Sequence, residues 1–137
     1  RERLPDLLGR HPLRQMWAYK YDQRLTGIGV HADAAAVNVN FWITPDEANL
    51  DSNSGGLRVW RKCAPMDWDF DDFNRRPEHL MRWVEETGAE EVIVPYRCNR
   101  AVIFDSNLIH RTDDFEFAPG YENRRINITM LFGRRGG

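Results

Sequence analysis

Cysteine is scarce in this sequence: Cys63 and Cys98 are the only two. They build no disulfide framework and lack metal-type spacing, so the expectation is a pair of reduced thiols in a cytoplasmic protein. Long apolar runs are missing too. Val92 to Val94 and Ala101 to Phe104 are far short of the roughly 20 residues that cross a bilayer as a helix, so no membrane partner is expected. An excess of one charge is also lacking: 19 Lys plus Arg stand against 21 Asp plus Glu, a net −2 that disfavours broad electrostatic binding of nucleic acid. Lysine itself is rare, with Lys20 and Lys62 the only two. No phosphate-cradling glycine loop, Ser-His-Asp set or Cys-His pair stands out. No signal peptide, repeat, low-complexity stretch or linker is read. A chain that starts at Arg1 is taken as a piece of a longer protein or a minimal form.

The 137 residues, 42% hydrophobic and 29% charged, suit one globular domain over 1–137. Short strands dominate. Val37 to Ile43 alternates, with Val37, Val39, Phe41 and Ile43 on one face and Asn38, Asn40 and Trp42 on the other. Further strands are expected at Met16 to Tyr21, Gly27 to His31, Leu57 to Arg61, Glu91 to Val94, Ala101 to Phe104, Leu108 to Arg111 and Arg125 to Phe132. One helix begins at Pro77 and ends at Gly88, and a shorter one covers Pro5 to Leu8. About eight strands with short connections predict a mainly β chain, an antiparallel sandwich or jelly roll with one or two flanking helices.

Four residues carry the chemical signal. His31-Ala32-Asp33 places an imidazole and a carboxylate on the same side of an extended segment, where both reach one cation. His110 ends the pair of apolar strands that starts at Ala101; it is either a satisfied core residue or a third ligand. Two imidazoles and one carboxylate form the facial set that holds non-haem Fe(II); tetrahedral zinc is the alternative metal. Alternation along Arg125 to Phe132 puts Arg125, Asn127, Thr129 and Leu131 on one face. Ile126, Ile128, Met130 and Phe132 then form an apolar face expected to pack on the core between the layers. Arg125 would point into the barrel, where a guanidinium needs a carboxylate from either the protein or a ligand. The acidic-aromatic stretch Asp67 to Phe73 lacks the glycine and glutamate of an EF-hand loop. It reads as a solvated cover near the barrel mouth or a lid over substrate.

Together these residues resemble the Fe(II)/2-oxoglutarate-dependent dioxygenases, especially the prolyl-hydroxylase-like group. His31-x-Asp33, His110 and Arg125 with Thr129 carry the likeness, supported by Tyr21, Thr26-Gly27, Gly55-Gly56-Leu57 and Phe104-Asp105-Ser106. It spans about residues 15 to 133. The resemblance implies a double-stranded β-helix, with His31, Asp33 and His110 as iron ligands. It also implies Arg125 as anchor of the distal 2-oxoglutarate carboxylate, helped by Thr129, in a pocket with Tyr21, Asn38, Asn40 and Trp42. The activity implied is hydroxylation of an unactivated C–H bond using O2, with decarboxylation of 2-oxoglutarate to succinate and CO2. Asp33 is intact where halogenating members replace the carboxylate, so halogenation is disfavoured. A catalytically silent jelly-roll binding module and a cupin-type dioxygenase without 2-oxoglutarate are the competing readings; the second leaves Arg125 unexplained. The substrate is open among a peptidyl residue, an amino acid and a small metabolite.

Overall fold

The computed structural model describes residues 4–22 and 27–137. The strands are β1 (Leu13–Lys20), β2 (Val37–Trp42), β3 (Leu57–Cys63), β4 (Glu91–Val94), β5 (Ala101–Asp105), β6 (Leu108–Thr112) and β7 (Ile126–Phe132). The helices are α1 (Pro5–Leu8), α2 (Phe70–Asn74) and α3 (Pro77–Thr87). All strand pairs are antiparallel, in a four-stranded sheet ordered β1-β7-β2-β5 and a three-stranded sheet ordered β4-β3-β6.

The strand expected at Gly27 to His31 does not form. This segment meets the smaller sheet at His31, which bridges His110 through two 2.9 Å backbone hydrogen bonds. Farther up, the Ile28 amide donates to the Thr112 hydroxyl at 3.1 Å instead of a backbone carbonyl. The Thr112 amide still donates to the Ile28 carbonyl at 3.0 Å, so the side chain replaces only one of the two ladder bonds there.

Between the sheets lie Trp42, Ala48, Leu57, Val59, Tyr96 and Phe117. A second core joins Ile109 and Trp60 of the smaller sheet to Phe73, Leu80 and Val84 of α2 and α3. The apolar face of β7 is not between the layers, contrary to expectation. Met130 pairs with Met16 and Val39, and Ile128 with Ala18 and Phe41, so this face lies outside the barrel. It is half-buried there, and Leu8 of α1 packs at its Val39 and Phe132 end. Alternation identifies which residues share a face; here the polar face turns inward because it lines a pocket.

Helix α3 ends as expected, with Gly88 in the left-handed conformation at φ +61°. Helix α2 gives the cover expected at Asp67 to Phe73 its anchor, most of the stretch staying exposed. The Asp69 carboxylate caps it by accepting from the Asp72 amide, and Phe73 enters the core at 4% exposure. Arg135 ties the preceding loop down by donating to Asn107 Oδ1 (2.7 Å) and to the carbonyls of Trp68 (3.1 Å), Ala64 (3.1 Å) and Pro65 (2.5 Å), with its plane 4.1 Å over Phe73. Arg135→Ala is therefore expected to remove about 1–3 kcal/mol of stability and lower Tm by several degrees, read by thermal unfolding. An unchanged Tm would show that α2 is held by Phe73 alone.

Candidate active site

Three backbone contacts bring the candidate metal ligands together. The His31–His110 bridge sets the two imidazoles side by side across the 27–31 segment and β6, with ring centroids 4.3 Å apart and planes tilted by 51°. The tight turn at Ser106 and Asn107 joins β5 to β6, and the Ser106 carbonyl accepts from the Asp33 amide at 2.8 Å. Asp33 thus lies over the same hairpin that carries His110. The resulting separations are 3.4 Å from His110 Nε2 to Asp33 Oδ2 and 3.8 Å from His31 Nε2 to Asp33 Oδ1.

Both imidazoles are oriented by their own strands. His31 Nδ1 lies 2.8 Å from the Gly29 carbonyl and His110 Nδ1 lies 2.8 Å from the Leu108 carbonyl. With each Nδ1 turned to a carbonyl, each Nε2 faces Asp33, able to give it a proton or, once deprotonated, to give a lone pair to a cation. Burial pushes the Asp33 pKa up, but hydrogen bonding and charge from His110, the nearby His31 and the Asn38 amide outweigh it. The pKa therefore lies below the usual aspartate value. Asn38 donates to Asp33 Oδ2 at 2.7 Å and fixes the carboxylate. One ligand atom from each of the three residues lies within 4.8 Å of the others. Donors bound about 2.1 Å from one ion are roughly 3.0–3.4 Å apart, so these residues fit a divalent cation with a small inward adjustment.

Burial and then the His110 ring lower the His31 pKa to about 4, with Asp33 opposing. Histidine in the unfolded chain titrates near 6.5. The metal-free fold is therefore expected to lose stability as pH falls from about 6.5 to about 4, by an amount on the order of 3 kcal/mol, with no further loss from this group below that range. Denaturant titrations across that range, compared with His31→Asn, check it. A variant with the same pH slope as the parent would overturn it.

Behind the ligands the barrel interior is polar. Trp42 Nε1 donates to Asn127 Oδ1 (2.8 Å), Asn127 Nδ2 to Thr129 Oγ1 (2.8 Å), Thr129 Oγ1 to Asn40 Oδ1 (3.4 Å) and Asn40 Nδ2 to Asn38 Oδ1 (2.6 Å). This chain of bonds ends on Asp33. Asn38, Asn40, Asn127 and Thr129 line a cavity of about 20 Å³, room for about one water. A five-carbon diacid enters only if side chains shift.

Arg125 is 1% exposed. Its Nε donates to the Gly55 carbonyl (2.6 Å) and Nη2 to the Gly56 carbonyl (3.1 Å), while Nη1 has no hydrogen-bond partner. Tyr21, Phe115, Trp42 and Tyr96 surround the guanidinium with ring centroids 5.2–5.8 Å away. Among the described residues no carboxylate pairs with it; Arg124, by contrast, pairs with Asp22 at 3.2 Å. Burial lowers the Arg125 pKa to about 10, leaving it charged at neutral pH. Tyr21 is buried beside it, its hydroxyl also without a partner and its pKa raised chiefly by that burial. A buried, half-engaged guanidinium and a spare phenol are the donor set that a ligand carboxylate fits.

The Gly55-Gly56 pair acquires a physical reason here. A Cβ on Gly56 would collide with the Val94 carbonyl, and Gly55 sits at φ +83°. Only glycine brings both carbonyls against Arg125 at this crossing.

No protein-family model matches the chain, and no curated protein matches it. Crystal structures that resemble it in shape include the following two. EvdMO1 aligns at a TM-score of 0.61 and 17% identity, over 97% of this chain and 30% of that one. An N-substituted L-amino acid dioxygenase from Burkholderia ambifaria AMMD aligns at 0.51 and 14%, over 94% and 56%. The fold is the double-stranded β-helix. The chain spans less than two thirds of either relative's length.

Within the double-stranded β-helix, the structure gathers His31, Asp33, His110, Asn38, Asn40 and Thr129 around one interior space. Trp42 and Tyr21 do not line it: Trp42 stacks on Tyr96 (centroids 5.3 Å apart) in the core, and Tyr21 lies against Phe115. Thr26 lies outside the described residues. Sequence reading passed over Trp17 and Asn127 as site residues. Both follow from alternation: Trp17 shares a face with Tyr19 and Tyr21, and Asn127 sits between Arg125 and Thr129. Trp17 separates the interior cavity from an open cleft of about 670 Å³ in front of His31 and Asp33, and it lines both. Phe70 and Asn74 of α2 stand at the cleft edge. Among the described residues no helix is long and apolar enough to cross a membrane.

Proposed function

We propose that this chain is the catalytic domain of an Fe(II)- and 2-oxoglutarate-dependent oxygenase that hydroxylates an unactivated C–H bond. The observation that carries the reading is a pairing. An open three-ligand set faces the cleft, and a buried arginine without a protein carboxylate precedes, in strand alternation, the Asn127 and Thr129 that line the cavity behind the set. Generic metal binding explains the first feature and leaves the second without a purpose. Tyr21 and the Gly55-Gly56-Leu57 contact to Arg125 extend the proposal to the prolyl-hydroxylase-like group.

When bound, Fe(II) with 2-oxoglutarate supplies the oxidising power, O2 being divided between substrate and succinate as CO2 leaves. The residues do the rest. His31, Asp33 and His110 hold the ion through two neutral nitrogens and one carboxylate oxygen, with Asn38 fixing the carboxylate. Arg125 Nη1 and the Tyr21 hydroxyl, both without a partner, would receive the far carboxylate of the cosubstrate, and Thr129 and Asn40 line the interior cavity. Trp17 walls this interior off from the cleft, where substrate waits beside His31. Dioxygenase names among the structural relatives support the class of chemistry.

The test is a succinate assay across candidate amino acids, peptides and small metabolites. Succinate is expected only with Fe(II), 2-oxoglutarate and O2 together, matched one to one by hydroxylated product when the substrate is right. Product formed at full rate without 2-oxoglutarate would move the protein to the cupin-type dioxygenases.

A further inference from the structure

The charge of the cleft is one-sided in a way that metal and cosubstrate binding do not use. Among the described residues, and apart from the ligand Asp33, the side chains lining it that carry a full charge at neutral pH are Arg14 and Arg134. Both also line an adjoining cavity of about 510 Å³, where Arg10 and His11 join them and no aspartate or glutamate is among the described lining residues. Among the described residues no ion pair engages Arg10, Arg14 or Arg134, whereas Arg58, Arg61, Arg75, Arg76, Arg111 and Arg124 each have one. Uncompensated like charges gathered at one end of a cleft repel one another until an anion joins them.

Their placement follows from the fold. Arg14 sits where the β1–β7 register shifts between Leu13 and Gln15. Arg134 follows β7 by two residues, and the Phe132 carbonyl at the end of β7 accepts from the Ala36 amide at 2.9 Å. Ala36 is three residues from Asp33, at most about 11 Å of chain. The cleft wall also includes Trp17, Tyr19, Leu131 and Phe70, an apolar and aromatic surface.

We propose that the substrate of this site is an amphiphilic anion, with a terminal carboxylate or phosphate held by Arg14 and Arg134. Its apolar body lies along the aromatic wall of the cleft, which presents a carbon to His31 and Asp33 in the same lining. Guanidinium forks match either oxyanion bidentately, and at an exposed rim the contact weakens with salt. The inference rests on the oxygenase reading only for what happens to that carbon; anion capture is a property of the cleft.

Calorimetry of the Mn(II)-loaded protein with 3-phenylpropionate, phenethyl phosphate and neutral 3-phenylpropanamide tests it. At least one anion is expected to bind about tenfold or more tightly than the amide at low salt, with the gap closing at high salt. The tighter anion identifies the handle as carboxylate or phosphate. Arg14→Gln with Arg134→Gln should bring that anion down to the amide's affinity, while Mn(II) binding, followed by electron paramagnetic resonance, stays unchanged. Anions that bind no better than the amide, or an anion preference that survives both substitutions, overturn the proposal. Anion preference without Mn(II) binding in the parent protein would instead remove the oxygenase reading and leave this one standing.

Discussion

Asp33→Ala is expected to lower Fe(II) affinity by roughly a thousandfold and abolish turnover. The carboxylate is the only anionic ligand of the set and is nine-tenths enclosed, between two imidazoles 3.4 and 3.8 Å away. Taking one charged partner out of a buried site typically costs about 3–5 kcal/mol, and about 4 kcal/mol is three decades in binding. Asp33→Asn separates charge from shape, because the Asp33 amide bond to Ser106 and a polar side chain beside Asn38 both remain. It should lose nearly as much affinity as alanine. His110→Ala should behave alike, since no other described side chain offers a nitrogen there. Anaerobic Fe(II) with 2-oxoglutarate should give a weak visible charge-transfer band in the parent protein and none in these variants. His79, which packs on Trp68 with centroids 4.2 Å apart in the α3 region, is the control, and His79→Ala should retain the band. Parent-like iron binding in Asp33→Ala and His110→Ala would remove the triad assignment.

Arg125→Ala is expected to weaken 2-oxoglutarate by about two to three orders of magnitude while sparing the metal. The substitution would leave a carboxylate buried without its charge partner, a cost of about 3–5 kcal/mol. It also strips the Gly55 carbonyl of its donor, leaves the Gly56 carbonyl with only the Asp113 amide, and empties the space inside four aromatic rings, so stability should drop as well. Arg125→Lys keeps a charge and fills much of that space but presents no fork. It should restore most of the Tm and only part of the cosubstrate affinity. Arg124→Ala, which breaks a half-exposed pair with Asp22, should change neither. Titration of 2-oxoglutarate into Mn(II)-loaded protein, beside thermal unfolding, separates these effects. Loss of cosubstrate binding in Arg124→Ala with retention in Arg125→Ala would shift the β7 register by one residue. If neither variant lost affinity, the anchor would lie elsewhere in the interior.

Much of the chemistry was present in the sequence because it is local. His31-Ala32-Asp33 brings an imidazole and a carboxylate close through spacing alone. Period-two alternation places Arg125, Asn127 and Thr129 on one face of β7, and all three are buried. Pro77 and Gly88 bound α3 through backbone preferences that need no partner. What the sequence left open depends on partners distant in the chain. His110 is a ligand candidate rather than a core histidine because its backbone bridges His31 and its ring faces Asp33. Arg125 is a free anchor rather than a salt-bridged one because glycine carbonyls far up the chain, not an aspartate, take two of its donors. Helix α2 is too short to announce itself and exists because Asp69, Phe73 and Arg135 hold it. Alternation could not say that the apolar face of β7 lies outside the barrel, since a strand's two faces are equivalent until a second sheet covers one of them. Local geometry travels with the chain, and long-range pairing exists only once the two sheets have closed on each other.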